Sequence, residues 1–112
     1  MFAMLMGLKT ISPQELHECM RTGPLMIVDV NARRSWLTAR VPGAISLSVD
    51  FDAGAPPQDR TARLIFYCSN PLCRKAPNAA KRARKLGYTD IRVMSAGITG
   101  WTDARLPVES GA

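Results

Sequence analysis

Two rhythms of apolar and polar positions run along this chain. Short runs rich in apolar residues, at Leu8–Ile11, Leu25–Val30, Ala44–Val49, Leu64–Tyr67 and Ile91–Met94, are each bounded by polar or turn residues. That is the pattern of strands buried on both faces. The opening Met1–Leu8 reads as the ragged start of the first strand. Between these runs apolar residues recur at helical spacing. Ser12-Pro13-Gln14-Glu15 is a helix start with a capping box, followed by inward-facing Leu16, Cys19 and Met20 until Thr22-Gly23-Pro24 stops it. His17 falls off that stripe and reads as a surface residue, and Cys19 reads as a small buried hydrophobe. Ala32–Ala39 spans two helical turns with Trp36 and Leu37 directed inward, and Pro42-Gly43 turns the chain. Ala79, Ala80, Ala83 and Leu86 mark one face of a helix closed by Gly87. A short helix over Ile98–Ala104 carries Trp101, and Leu106-Pro107-Val108 makes an extended exit. Asp52–Arg60 is the one long loop-like stretch.

Strands alternating with helices predict an α/β fold: a mainly parallel central sheet of about five strands with helices on both faces. In such sheets ligands sit outside the carboxyl ends of the strands.

The 112 residues suit a single domain over 1–112, and 46% hydrophobic with 21% charged residues is an ordinary globular balance. No apolar run approaches the roughly 18 residues that span a bilayer, and the apolar start lacks the basic opening of a secretory signal. A cytoplasmic protein is expected. Three cysteines, Cys19, Cys68 and Cys73, are too few and odd in number for a disulfide framework. The lone His17 has no cysteine at ligand spacing on its helical face, so neither metal nor cofactor is expected. The net charge is +6, and six of the 15 basic residues fall between Arg74 and Lys85. That cluster reads either as the wet face of a helix or as an attraction for an anionic substrate.

The segment Phe66-Tyr67-Cys68-Ser69-Asn70-Pro71-Leu72-Cys73-Arg74-Lys75 joins a buried strand to the positive end of a helix. The helix dipole, loop amides, Arg74 and Lys75 all favour a thiolate there. A lowered Cys68 pKa and a nucleophile at neutral pH are therefore expected. Asp29 interrupts a buried strand and is expected to pair with loop donors, because an unpaired buried carboxylate is expensive.

These segments together resemble the rhodanese family. Ile27-Val28-Asp29-Val30 is similar to its Asp-containing strand, and Arg40-Val41-Pro42-Gly43-Ala44-Ile45 to its Pro-Gly-Ala turn. Phe66-Tyr67-Cys68 resembles the strand that ends in the catalytic cysteine. Leu86-Gly87-Tyr88, Ala96-Gly97-Ile98 with Trp101, and Leu106-Pro107-Val108 resemble the C-terminal signature. The resemblance implies a thiosulfate sulfurtransferase. A small anionic donor such as thiosulfate would load a persulfide on Cys68, and a thiol or cyanide would accept the sulfur. It further implies that the amides from Ser69 through Asn70, Leu72 and Cys73 to Arg74 hold the anionic sulfur, with Arg74 also binding the donor. Asp29 and Arg40 would be structural near the site.

The same residues admit two alternatives. Cys68-(five residues)-Arg74 matches the spacing of cysteine-dependent phosphatases and arsenate reductases. Against it, Tyr67 stands where those enzymes commonly carry histidine, and Pro71 removes a donor from an oxyanion cradle. A non-catalytic binding module is the other, with the basic stretch Lys81–Lys85 docking an acidic partner. Nucleic acid is not expected there, since no aromatic residues interleave with the charges. Cys73 has three readings: a thiol that resolves the Cys68 persulfide as a disulfide, the nucleophile itself, or a bystander.

Overall fold

In the computed structural model, which describes residues 2–112, the apolar runs become five short strands: β1 Lys9–Thr10, β2 Met26–Asp29, β3 Ile45–Ser46, β4 Arg63–Tyr67 and β5 Asp90–Val93. All pair in parallel, in the order β1-β5-β4-β2-β3. The helices are α1 Phe2–Leu5, α2 Pro13–Cys19, α3 Arg33–Thr38, α4 Lys75–Lys85 and α5 Gly97–Asp103. Parallel neighbours need crossovers, and α2, α3 and α4 lie in those connections. Among the described residues no helix is long and apolar enough to cross a membrane.

Strand alternation divides the core into two layers. Leu64 and Phe66 of β4 join Val28, Val93 and Cys68 against the alanines of α4. Ile65 and Tyr67 face the other way, with Ile27 and Met94, onto Leu16 of α2 and Trp101 of α5. Ala76, Ala79, Ala80 and Ala83 are all buried; their small side chains bring α4 close to the sheet. The start of α2 is closed by a reciprocal capping box, Ser12 N–H to Glu15 Oε1 at 2.9 Å and Glu15 N–H to Ser12 Oγ at 3.0 Å. Gly87, at φ 101°, takes the left-handed turn that ends α4.

Three local expectations change. Met1 lies outside the described residues, but Phe2–Leu5 is a helical turn, not a strand. The register explains this. Lys9 pairs with Arg92 and β5 begins at Asp90, so residues before Gly7 run past the end of any ladder. Their amides are satisfied locally instead: Leu8 N–H donates to Ala3 O at 2.8 Å after a left-handed Gly7. Trp36 and Leu37 are only half-buried. The Trp36 indole donates to Ala44 O at 2.8 Å, and its ring carries the Arg40 guanidinium 3.9 Å from its centre, which keeps it at the rim. Cys19 is also half-buried, its sulfur 3.9 Å from Arg63 Nη1.

At the carboxyl edge of the sheet, Asp29 is fully buried at the end of β2. Its carboxylate accepts from Tyr67 Oη at 2.6 Å and from Asn31 N–H at 2.8 Å. The Tyr67 oxygen in turn accepts from Val41 N–H at 3.1 Å. One side chain thus ties β2, β4 and the turn before β3 together. Burial pushes the Asp29 carboxyl above its ordinary value, and the bonds from Tyr67 and Asn31 oppose that push. A raised folded pKa means that protonation favours the fold. That contribution is full below the ordinary 3.8 and is lost as pH rises through the raised value. Tyr67→Phe leaves Asp29 Oδ2 and the Val41 amide without this partner, and is expected to cost about 1–3 kcal/mol of stability near neutral pH. Without the phenol the Asp29 pKa rises further, so the loss is expected to shrink in acid. Urea titrations of both proteins at acid and neutral pH check this, and an equal loss at both would contradict the assigned role of the carboxylate.

Candidate active site

Cys68 leaves the sheet directly after β4, and backbone bonds fix its position on both sides. Ile98 N–H donates to Cys68 O at 2.9 Å, and Thr99 N–H to Ser69 O at 3.1 Å. Gly97 makes this approach possible: its φ is +68°, and a Cβ there would lie 2.5 Å from the Ser69 carbonyl carbon. On the other flank Ser69 Oγ donates to Asn31 Oδ1 at 2.7 Å. Since the Asn31 amide holds Asp29, the loop is continuous with the buried carboxylate.

The thiol is 3% exposed. Its sulfur accepts the Ala76 amide at 3.4 Å, in the first turn of α4, and the Ser69 amide. The rest of the loop differs from the expected cradle. Cys73 N–H donates to Asn70 O at 3.1 Å and Leu72 N–H to Asn70 Oδ1 at 2.9 Å. Pro71 has no N–H. The amides of Leu72 and Cys73 therefore close a turn on Asn70 in place of facing the sulfur, and Ala76, which the sequence reading passed over as a donor, does face it. The Leu72 side chain is exposed, and Arg74 is exposed at the start of α4.

The turn on Asn70 folds half-buried Cys73 back onto Cys68, and the two thiols share a hydrogen bond. Burial foremost, then the bond to Cys73, pushes the Cys68 thiol up to about 12. Burial also acts to raise Cys73, but bonds from the Cys68 thiol and from the Lys75 and Ser69 amides outweigh it, and Cys73 falls below its ordinary value. The expected lowered pKa is thus found on Cys73 and reversed on Cys68. Desolvation at the buried sulfur exceeds what the helix start supplies there.

Cys68 and Cys73 line a cavity of about 10 Å³ together with Ala3, Pro71, Met94 and Ser95. The loop is closed over the thiol. Ser95 Oγ, which the sequence reading does not single out, is buried there without a hydrogen-bond partner; a hydroxyl two residues beyond β5, at the carboxyl edge, is the signal that finds it. Asp29 and Arg40 lie outside this cavity. Arg40 is buried, donating through Nη1 to Trp36 O at 3.1 Å and Gly111 O at 2.8 Å, with Glu109 at 3.8 Å. It straps the C-terminal residues to the turn, and its charge favours the Asp29 carboxylate. A larger cavity, about 800 Å³, opens at the opposite end of the sheet among Met26, Asp59, Arg63 and Asp90; no cysteine lines it. Among the described residues no cluster of His, Cys, Asp and Glu is placed to hold a metal.

Comparison with known proteins gives a consistent family. Residues 12–104 match the family model described as a rhodanese-like domain. The chain is 31% identical over 108 residues to the HTH-type transcriptional regulator Rv0324 of Mycobacterium tuberculosis, matching over 91% of this chain and 45% of that protein. It thus spans less than half of that relative's length. It is 25% identical to human thiosulfate:glutathione sulfurtransferase, over 87% of this chain and 96% of that protein. Among solved structures, a thiosulfate sulfurtransferase from Pseudomonas aeruginosa superposes with a TM-score of 0.82 at 24% identity, over 93% of this chain and 20% of that one. A protein from Rhodopseudomonas palustris described as a possible tyrosine phosphatase superposes with a TM-score of 0.73 at 24% identity, over 92% and 86%.

The unequal thiols generate a direct prediction. Limited alkylation near neutral pH is expected to label Cys73 before Cys68. Cys73→Ser removes two influences that raise Cys68, the hydrogen bond and the charge of Cys73, and is expected to shift the Cys68 alkylation profile to lower pH. Peptide mass mapping across a pH series reads both effects; an unmoved Cys68 profile would contradict the coupling.

Proposed function

The chain belongs to the rhodanese-like domain family, and from that premise we propose that it is a sulfurtransferase that carries a sulfane sulfur as a persulfide on Cys68. In this reading the Cys68 thiol passes its proton to Cys73 once Cys73 has ionised, an ionisation that its lowered pKa favours. The resulting Cys68 thiolate attacks the outer sulfur of a donor such as thiosulfate. The S–S bond of the donor breaks and sulfite leaves with the electron pair. An acceptor, a thiolate or cyanide, then attacks the outer persulfide sulfur and expels the Cys68 thiolate. The Ser69 and Ala76 amides stabilise the negative sulfur at both stages. Because the cavity is closed, donor access requires the 69–74 loop to lift, with exposed Arg74 at its rim to attract the anion. A reducing, cytoplasmic setting fits a site built on two free thiols.

The observation that carries this reading over oxyanion chemistry is the use of the loop amides. A phosphate or arsenate needs donors for three oxygens. Here Pro71 has none, and those of Leu72 and Cys73 are held by Asn70. A single sulfur needs only the two that remain on it. The phosphatase reading keeps one observation in its favour, the likeness to the Rhodopseudomonas palustris protein.

Intact mass after incubation with thiosulfate tests the proposal. Wild type is expected to gain the mass of one sulfur atom or to release sulfite stoichiometrically, and Cys68→Ser to do neither. Sulfur found on Cys73 in the Cys68→Ser protein would make Cys73 the nucleophile. No adduct and no sulfite, together with hydrolysis of an aryl phosphate, would replace sulfur transfer by the phosphatase reading.

A further inference from the structure

The turn on Asn70 gives the site a second capability, which rests on the sulfurtransferase reading. Cys73 is folded back by that turn so that both cysteines line one cavity of about 10 Å³, close enough for the two thiols to influence each other's ionisation. An external acceptor has to open this cavity to reach a persulfide on Cys68. Cys73 is already inside it. An intramolecular thiol so placed competes with free acceptors at very high effective concentration.

We propose that Cys73 is a resolving thiol, and that the loop discharges the Cys68 persulfide as inorganic sulfide, closing a Cys68–Cys73 disulfide. The step balances. Cys73, holding the proton it received from Cys68, attacks the inner sulfur of the persulfide. A Cys68–Cys73 S–S bond forms, the bond to the outer sulfur breaks, and the outer sulfur leaves with the electron pair and the Cys73 proton as hydrosulfide. The sulfane sulfur is reduced to sulfide and the two cysteine sulfurs are oxidised to the disulfide, so the donor itself supplies the oxidant. A dithiol reductant then restores both thiols and closes the cycle. With such a reductant the protein acts as a sulfane-sulfur reductase; without one it stops after a single turnover.

The fold suits this division of labour. The Cys68 end of the loop is pinned to α5 by the two backbone bonds at Cys68 and Ser69 and by the Gly97 contact. The Cys73 end closes its turn through the two bonds to Asn70, which sets its thiol beside the fixed Cys68. Cys19 takes no part, since it sits on α2 at the other face of the sheet beside Arg63.

Reduced wild type, Cys73→Ser and Cys73→Ala are incubated with thiosulfate without any added thiol, and released sulfide is measured alongside non-reduced intact mass. Wild type is expected to release one equivalent of sulfide and to finish lighter by two hydrogens, with Cys68 and Cys73 in one disulfide-linked peptide. Both variants, loaded at raised pH where Cys68 ionises without Cys73 to take its proton, are expected to retain the extra sulfur on Cys68 and to free no sulfide. Dithiothreitol is expected to return wild type to its starting mass and to convert the single equivalent into continuous release. Wild type that keeps its extra sulfur and frees no sulfide overturns the resolving role while leaving sulfur transfer intact. So does either variant that frees sulfide as wild type does. If no protein takes up sulfur and none frees sulfite, the sulfurtransferase reading fails and this inference fails with it.

Discussion

A carboxylate buried at the carboxyl edge of the sheet has to find donors, and the arrangement of that edge follows from how Asp29 does so. An unpaired buried charge is among the most expensive features a small core can contain. Asp29 avoids that by drawing on Tyr67 from the neighbouring strand and on the backbone of Asn31. Tyr67 then becomes an acceptor for Val41, which positions the turn leading to β3. Asn31, held by its amide, presents Oδ1 to Ser69, and Ser69 is the first residue after the thiol. The chain of bonds from core to reactive loop is therefore unbroken, and each link is short and polar in an otherwise apolar layer.

The same economy of donors governs the loop. Five residues separate Cys68 from Arg74, yet the sulfur receives amides only from the near end and from the first turn of α4. The middle of the loop is an Asn70-centred turn that consumes its own N–H groups. Burial consequently raises the pKa of Cys68, while the less buried Cys73 falls below its ordinary value. A thiol pair of this kind divides acidity from burial: one member is the more acidic, the other the more shielded.

Much of this was legible in the sequence, and the boundary is physical. The capping box at Ser12 and Glu15, the Gly87 stop and the alternation of Leu64 to Tyr67 depend on neighbours within a few residues, so the pattern alone predicts them. The family resemblance likewise located Cys68 and Asp29. Two kinds of feature were not legible. The helical start at Phe2–Leu5 depends on where β5 begins, a register formed across more than 80 residues. The reversal of thiol acidity depends on desolvation, which exists only once α1, α4 and α5 have closed around the site. Helix dipole and flanking cations are visible in a sequence; loss of water is not.

Pro71 shows how one residue bears on both sides of that boundary. Read alone, it subtracts a donor from an oxyanion cradle and so weakens a phosphatase reading. In the folded loop, Asn70 ahead of it accepts from the two residues that follow it. Proline at this position has its φ fixed at about −65°, which pre-organises the turn. The turn that consumes the Leu72 and Cys73 amides, beside a Pro71 that has none, is also the turn that brings Cys73 to Cys68. Loss of phosphate-binding capacity and gain of a second thiol at the sulfur are two consequences of one backbone conformation, so a substitution that restored a cradle would also move the second thiol away.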